Sequence, residues 1–457
     1  MSFMKYNESF IKGNVPRALI RFALPVMLAS ILQMVYSATD LVILGRFGTT
    51  SDVSGVATST QIMLLITLSI SGFTAALVVL LGQFSGEKNE KKLSATVGTG
   101  VVFFAIAALC VTVIMQFLID PIITLMKTPE LAAPAARDYL RICTLGTVFI
   151  TGYNVCSSIM RGIGNSKVPL LFISVTCTIN IFLDLLFVAV FRMGAAGAAT
   201  ATVIAQAFSL AFSLTFFKLR GIGFKVSRAD IRLNKEIVRR LVKIGAPISL
   251  QEILVTLSFL LITAVVNGMG IVVSASVGVV EKLIGFLMMP SAALSTAVAT
   301  MSAHNIGANQ YDRARRCMWV GILTSLCCAS VATGASWFFG DVLASIFSKD
   351  KDVIYNAALY LKTYSLDCLG VCVVFVLNGY FNSCNRSLFS MAHSLITTFA
   401  IRVPFTIIIA RIPGATLFHL GIASPLSSLG SMIMCFIYLR YVNRKMAQER
   451  LDAVPAQ

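Results

Sequence analysis

Two carboxylates stand where carboxylates are costly. Asp40 lies in the apolar stretch QMVYSATDLVILG, residues 33–45, and Asp184 lies in TINIFLDLLFV, residues 178–188. A charged side chain at the centre of a membrane-spanning helix costs on the order of 3 kcal/mol on insertion scales, so an acid in that setting is a functional candidate by default. Gln33, Tyr36 and Asp40 are spaced three and four apart, and Asn180 and Asp184 four apart, which puts each set on one helical face. Thr202, on the following apolar segment, is expected at a similar depth. Two carboxylates, an amide and a hydroxyl could coordinate a sodium ion through oxygen, or hold a proton shared between the acids. Either aspartate taken singly could equally serve one interhelical hydrogen bond. The set, rather than either member, makes the case.

The elements that position these residues follow from composition. Of 457 residues, 57% are hydrophobic and 12% charged, with mean hydropathy +0.85, far from the usual make-up of a soluble domain. Apolar runs of eighteen or more residues recur along the chain, each long enough to cross a hydrocarbon core of roughly 30 Å as a helix. With Gly, Pro and charge clusters as breakers, twelve spans are expected near residues 16–43, 53–82, 93–118, 136–159, 168–190, 194–217, 238–267, 273–304, 312–339, 353–382, 388–410 and 416–440. The first dozen residues lack the apolar core and cleavage site of a signal peptide, so the first span is expected to stay in the mature protein.

Charge gives the orientation. The N-terminus and every second loop hold 26 of the 37 Lys and Arg, so both termini are expected in the cytoplasm of a plasma-membrane protein. Nine of these lie in Lys218 to Lys243, which divides the spans six and six. The net charge of +17 is spread over such loops, which argues for a topology signal rather than nucleic-acid binding. The expected organisation is a six-helix lobe over 1–217, a basic linker over 218–237, and a second lobe over 238–457 with a short cytoplasmic tail.

The halves repeat. LIRFALPVML from Leu19 matches LVKIGAPISL from Leu241, GQFSGEKNEKKLS from Gly82 matches AHNIGANQYDRAR from Ala303, and YLRICTLG from Tyr139 matches YLKTYSLD from Tyr360. The separation holds at 221 to 222 residues, and an even number of spans per half makes the repeats parallel. Opposite Gln33, Asp40, Asn180 and Asp184 the second half is read as carrying Val255, Ile262, Ile401 and Phe405, so the polar set belongs to the first half. The second half has charges of its own. Glu281 and Lys282, adjacent and so unable to pair face to face, are each expected to pair with a neighbouring helix, Arg402 is a further charge on the eleventh span, and Glu252 and Asp367 are the acids available for a second site. Pro25 and Pro247 fall inside the first helix of each half, where a missing backbone hydrogen bond favours a bend that could serve as a hinge.

What is missing also narrows the function. Eleven cysteines, mostly within apolar runs, and three scattered histidines suggest neither disulfides nor a structural metal. There is no nucleophile beside a base and no phosphate-cradling loop, so neither an enzyme nor an ATP-driven pump is expected.

Over nearly its full length the sequence resembles the multidrug and toxic compound extrusion (MATE) family. The pieces that carry the likeness are GNVPRALIRFALPVMLASILQMVYSATDLVILGRF from Gly13, GQFSGEKNEKKL from Gly82, RGIGNSKVP from Arg161 and NIGANQYDRARR from Asn305. The resemblance implies an all-α membrane protein of twelve helices in two six-helix lobes around a central cavity. It also implies efflux of organic cations or drugs against entry of protons or sodium ions, with no cofactor. Carried over residue by residue, it makes Asp40, Asn180, Asp184 and Thr202 the coupling-cation site, and Gln33, Tyr36 and Asn154 adjacent cavity positions. A branch of the family uses an acidic pair on helices 7 and 10 that Glu252 and Asp367 do not reproduce in register, so coupling is expected through the first lobe. The expected partners are a small amphipathic or cationic substrate and the lipid bilayer, with the chain a monomer. The rival reading is a flippase for lipid-linked or anionic substrates of the same superfamily.

Overall fold

The structure is a computed structural model that describes residues 9–452, the side chains from 445 onward excepted. The readings made on the extreme N-terminus and on the end of the C-terminal tail lie outside the described residues.

An apolar chain in lipid must satisfy its backbone internally, which leaves helices as the economical solution. Among the described residues ten helices are long and apolar enough to cross a membrane, from Val15–Phe47 to Leu417–Arg444. Two further pairs, Ala133–Leu145 with Thr147–Gly162 and Lys351–Tyr364 with Asp367–Ser383, each bend by 49° and complete twelve if each is one span. The fourth and tenth spans, expected as single helices, are therefore broken. The local reason at the fourth is Gly146, where a Cβ would collide with Val203 on the helix Gly194–Arg220. Large side chains such as Phe117, Phe182, Leu323 and Val331 stand exposed, as lipid-facing surfaces require.

Both prolines named as bend points sit inside unbroken helices, Pro25 in Val15–Phe47 and Pro247 in Lys235–Asn267. Leu24–Ser249 cluster as one compact unit, and Asn14–Ala23 cluster with the residues from Leu250 onward as another. Each boundary thus falls beside a helix proline.

Within the first unit, Ile43, Leu44, Val56, Tyr139, Cys143 and Val188 pack with the small residues Ala195, Ala198 and Ala199, which let the helices approach closely. At one edge of this cluster Thr49 and Asp52 form a capping box, with Asp52 Oδ2 accepting from the Thr49 amide at 3.0 Å. The other oxygen of Asp52 accepts from the Ala195 amide at 3.1 Å, beside Gly194, whose φ of +54° suits glycine. One carboxylate therefore caps two helices. The linker is also held: Ser94 Oγ donates to Asp230 Oδ2 at 2.6 Å, and Thr99 Oγ1 donates to the Arg232 carbonyl at 3.0 Å.

In the second unit, Phe389 and Tyr438 stack with centroids 3.7 Å apart. The three histidines are engaged locally: His304 with the Thr300 carbonyl at 2.9 Å, His393 with Asn378 at 2.8 Å, and His419 with Thr416.

Candidate cation site in the first half and its second-half counterpart

Asp40 sits near the end of helix Val15–Phe47, and Asp184 is the last residue of helix Lys167–Asp184. The side chains converge on Asn180. With its amide nitrogen facing the acids, Asn180 donates to Asp40 Oδ1 at 2.7 Å and to Asp184 Oδ2 at 3.0 Å. The two carboxyl groups also lie within hydrogen-bond reach of each other. Asn180 and Asp184 are fully buried, Asp40 partly so. The remaining oxygen of Asp184, Oδ1, is buried without a hydrogen-bond partner. A buried acceptor with nothing to accept from, next to a second carboxylate, has the donor chemistry a proton or a small hard cation would complete.

The helix gives way at this point. Leu185–Val190, which follows Asp184 directly, is a π-helical turn, an irregularity frequent at functional sites. Sequence reasoning did not anticipate it.

Tyr36 and Thr202 meet each other, the Tyr36 hydroxyl donating to Thr202 Oγ1 at 3.3 Å, which ties the first helix to Gly194–Arg220 one turn from Asp40. Gln33 is exposed on the same helix. Asn154 spends its amide on its own helix, donating to the Ile150 carbonyl at 2.8 Å. Pro25 is buried lower on the first helix, and Glu252 is half-buried on Lys235–Asn267.

Asp367 lies elsewhere than expected. Instead of a mid-helix position it opens the second segment of the broken tenth span, buried, at the helix N-terminus. Close to it is a charged residue given no role on sequence grounds. Arg402 is the last residue of a second π-helical turn, Thr398–Arg402, and its Nη2 donates to the Tyr364 hydroxyl at 2.7 Å. Its guanidinium carbon stands 4.0 Å from the Phe259 ring centroid. Glu281 and Asp367 both interact with it electrostatically. One signal could have singled it out: Arg402 is a basic residue eight or more positions from either end of its span, 388–410.

Comparison with known proteins agrees with this architecture. The family model described as MatE matches the chain twice, over residues 25–186 and 247–408. The two matches start 222 residues apart, which agrees with the pairing of Gln33 with Val255 and, with the quoted blocks 221 to 222 apart, places Arg402 within one residue of the position opposite Asn180. A "Probable multidrug resistance protein YpnP" of Bacillus subtilis (strain 168) is 31% identical, over 94% of this chain and 96% of its own length. A "Probable multidrug resistance protein YoeA" of the same organism is 26% identical, over 96% of each. Among solved structures, a multidrug resistance MATE family transporter in an outward-facing conformation superposes with TM-score 0.90 at 17% identity, covering 96% of this chain and 98% of its own. The chain therefore belongs to the MATE family, as a multi-pass membrane transporter built on two repeats and not an enzyme.

Proposed function

We propose that this chain is a secondary active antiporter, exporting organic cations or drugs in exchange for protons or sodium ions by alternating access. The coupling cation is held in the first half by Asp40, Asn180, Asp184 and Thr202. The observation that carries this reading is the pair of carboxylates bridged by one buried amide, with Asp184 Oδ1 left without a partner. Gln33, Tyr36 and Asn154 are the substrate-facing positions, with Tyr36 linked to the cation site through Thr202.

In this scheme a cation entering from outside neutralises Asp40 and Asp184. The first helix then changes its bend near Pro25, where the i to i−4 hydrogen bond is missing, and substrate affinity falls. Coupling requires that bound cation and bound substrate favour different states. No cofactor takes part, and the only small partners are the ion and an amphipathic or cationic substrate. The chain acts as a monomer in the plasma membrane with both termini cytoplasmic, its lobes at 1–217 and 238–457 joined by the linker 218–237.

The test is uptake of a fluorescent lipophilic cation into proteoliposomes, with proton and sodium gradients imposed separately. Uptake driven by one gradient and abolished by Asp40→Asn is the expected result and names the ion. Uptake by folded protein under neither gradient would overturn the antiport reading in favour of a flippase for anionic or lipid-linked substrates.

A further inference from the structure

The second half contains a cavity of about 200 Å³ whose wall includes the polar residues Arg402, Asp367 and Tyr364 and the apolar residues Val255, Phe259 and Met288. Most of its polar lining is spoken for. Gln251 donates to Ser394 Oγ at 3.0 Å, Asn378 holds His393 at 2.8 Å, and the hydroxyls of Thr397 and Ser431 meet at 2.6 Å. Two atoms in the wall are not: Arg402 Nε, a donor on a cation, and Asp367 Oδ1, an acceptor on an anion. Their residues are 9% and 5% exposed.

These two groups do not satisfy each other. The ion pairs among the described residues join Lys92 to Glu87, Arg137 and Arg141 to Asp120, and Arg240 to Glu236, and none includes Arg402. A guanidinium buried in a membrane helix without a contacting carboxylate is expensive, and buried polar atoms are rarely left unbonded. The face of the guanidinium is covered by Phe259, and Nη2 is committed to Tyr364. What remains is its Nε edge, the geometry that suits a planar carboxylate.

We propose that this cavity is a substrate subsite for a zwitterionic amphipathic ligand. The ligand's carboxylate meets the Nε edge of Arg402, its ammonium meets Asp367 Oδ1, and its apolar body lies along Phe259, Val255 and Met288. The charged groups in the wall are Arg402 and Asp367, with Tyr364 beside them, and Glu281 and Tyr360 act on Arg402 electrostatically from outside the lining. A free cation would meet Arg402 and a free anion would meet Asp367 and Glu281, so a ligand carrying both charges is favoured over either. The cavity is smaller than the roughly 300–1,000 Å³ of whole small-molecule sites, so it holds one end of a larger substrate. Its place in the repeat is close to that of the cation site, because Arg402 lies within one residue of the position opposite Asn180. The inference takes from the proposed function only that the chain binds small amphipathic substrates, and it is independent of the coupling scheme.

Three fluorescent probes sharing one aromatic body test it: ε-dansyl-lysine, a zwitterion; dansylcadaverine, the same chain without the carboxylate; and dansyl-aminocaproate, the same chain without the ammonium. Fluorescence titration of the purified protein in detergent is expected to show the zwitterion bound about tenfold or more tightly than either relative, the scale of one charge-assisted hydrogen bond. Arg402→Gln should abolish the preference over dansylcadaverine while leaving dansylcadaverine binding, which also reports that the variant is folded. Asp367→Asn should abolish the preference over dansyl-aminocaproate. Equal binding of the three probes to the wild type, or discrimination that survives both substitutions, would overturn the proposal. These titrations are equilibrium binding in detergent with no ion gradient, so failure of the coupling scheme, read in proteoliposome uptake, and failure of this subsite are read separately.

Discussion

The two halves share a register and differ in the charge they place in it. In the first half, the fifth span brings Asn180 and Asp184 to Asp40, giving two acids around a neutral amide. In the second half Arg402 lies within one residue of the position opposite Asn180, while those opposite Gln33 and Asp40 are Val255 and Ile262. Each half interrupts its fifth span with a π-helical turn adjoining the polar residue, Leu185–Val190 after Asp184 and Thr398–Arg402 ending on the arginine. Each leaves a buried polar atom without a partner, Asp184 Oδ1 on one side and Arg402 Nε on the other. The two halves thus share a scaffold but place a neutral amide beside two acids in one and a permanent cation near the corresponding place in the other. A site that lacks a cation in one repeat has as its counterpart a site with a cation built in. The same geometry can then serve two ligands of different chemistry.

The most severe test of that comparison is to make the first half resemble the second. Asn180→Arg would place a permanent cation between Asp40 and Asp184, at hydrogen-bond distance from both. Gradient-driven uptake is expected to fall to the level of empty liposomes, with the protein still folded because the introduced charge is paired by two carboxylates. Gradient-driven uptake that persists in this variant would show that the two acids do not bind the coupling ion.

A smaller effect is expected at the bend of the fourth span. Gly146→Val forces a side chain against Val203, next to Thr202, and overpacking of this kind costs about 1–3 kcal/mol. Thermal unfolding in detergent should shift downward, whereas Gly334→Val, at a glycine with open space around its Cβ position, should shift it much less. Equal shifts would mean that the close approach at Gly146 does not shape the bend.

The gentlest change is Tyr36→Phe, which removes one partly buried hydrogen bond of 3.3 Å to Thr202. A typical bond of this kind contributes about 1 kcal/mol, so uptake should drop several-fold at most, with its dependence on the ion gradient intact. Loss of the gradient dependence itself would promote Tyr36 from a substrate-facing position to part of the cation site.

Much of this was legible in the sequence because membrane helices are written in composition. The spans follow from apolar runs, and the polar stripe on the fifth span follows from the spacing of Asn180 and Asp184. The two broken spans were not legible. Their breaks at Gly146 and at Ser365–Leu366 lie inside continuous apolar stretches, where hydropathy carries no sign of direction. For the same reason Asp367, read as a residue midway along a helix, turned out to start one. The π-helical turns have no sequence signature here, since Leu185–Val190 reads as an ordinary apolar helix. Asn154 and Asn180 are the same residue type in similar surroundings, yet one bonds its own helix and the other bridges two acids. That difference depends on which helix packs opposite, which spacing along one chain cannot express. Arg402 was visible as an intramembrane charge, but its place in a cavity wall with Nε left without a partner depends on neighbouring helices that the sequence does not name.

The central claim is that the coupling ion acts through the first half. The most direct measurement is gradient-driven uptake in proteoliposomes for the wild type, Asp40→Asn and Asp367→Asn side by side, under the one gradient that drives the wild type. The account predicts that Asp40→Asn abolishes the response to the gradient, while Asp367→Asn keeps it and changes only which substrates are carried. Gradient dependence lost in Asp367→Asn and retained in Asp40→Asn would contradict it.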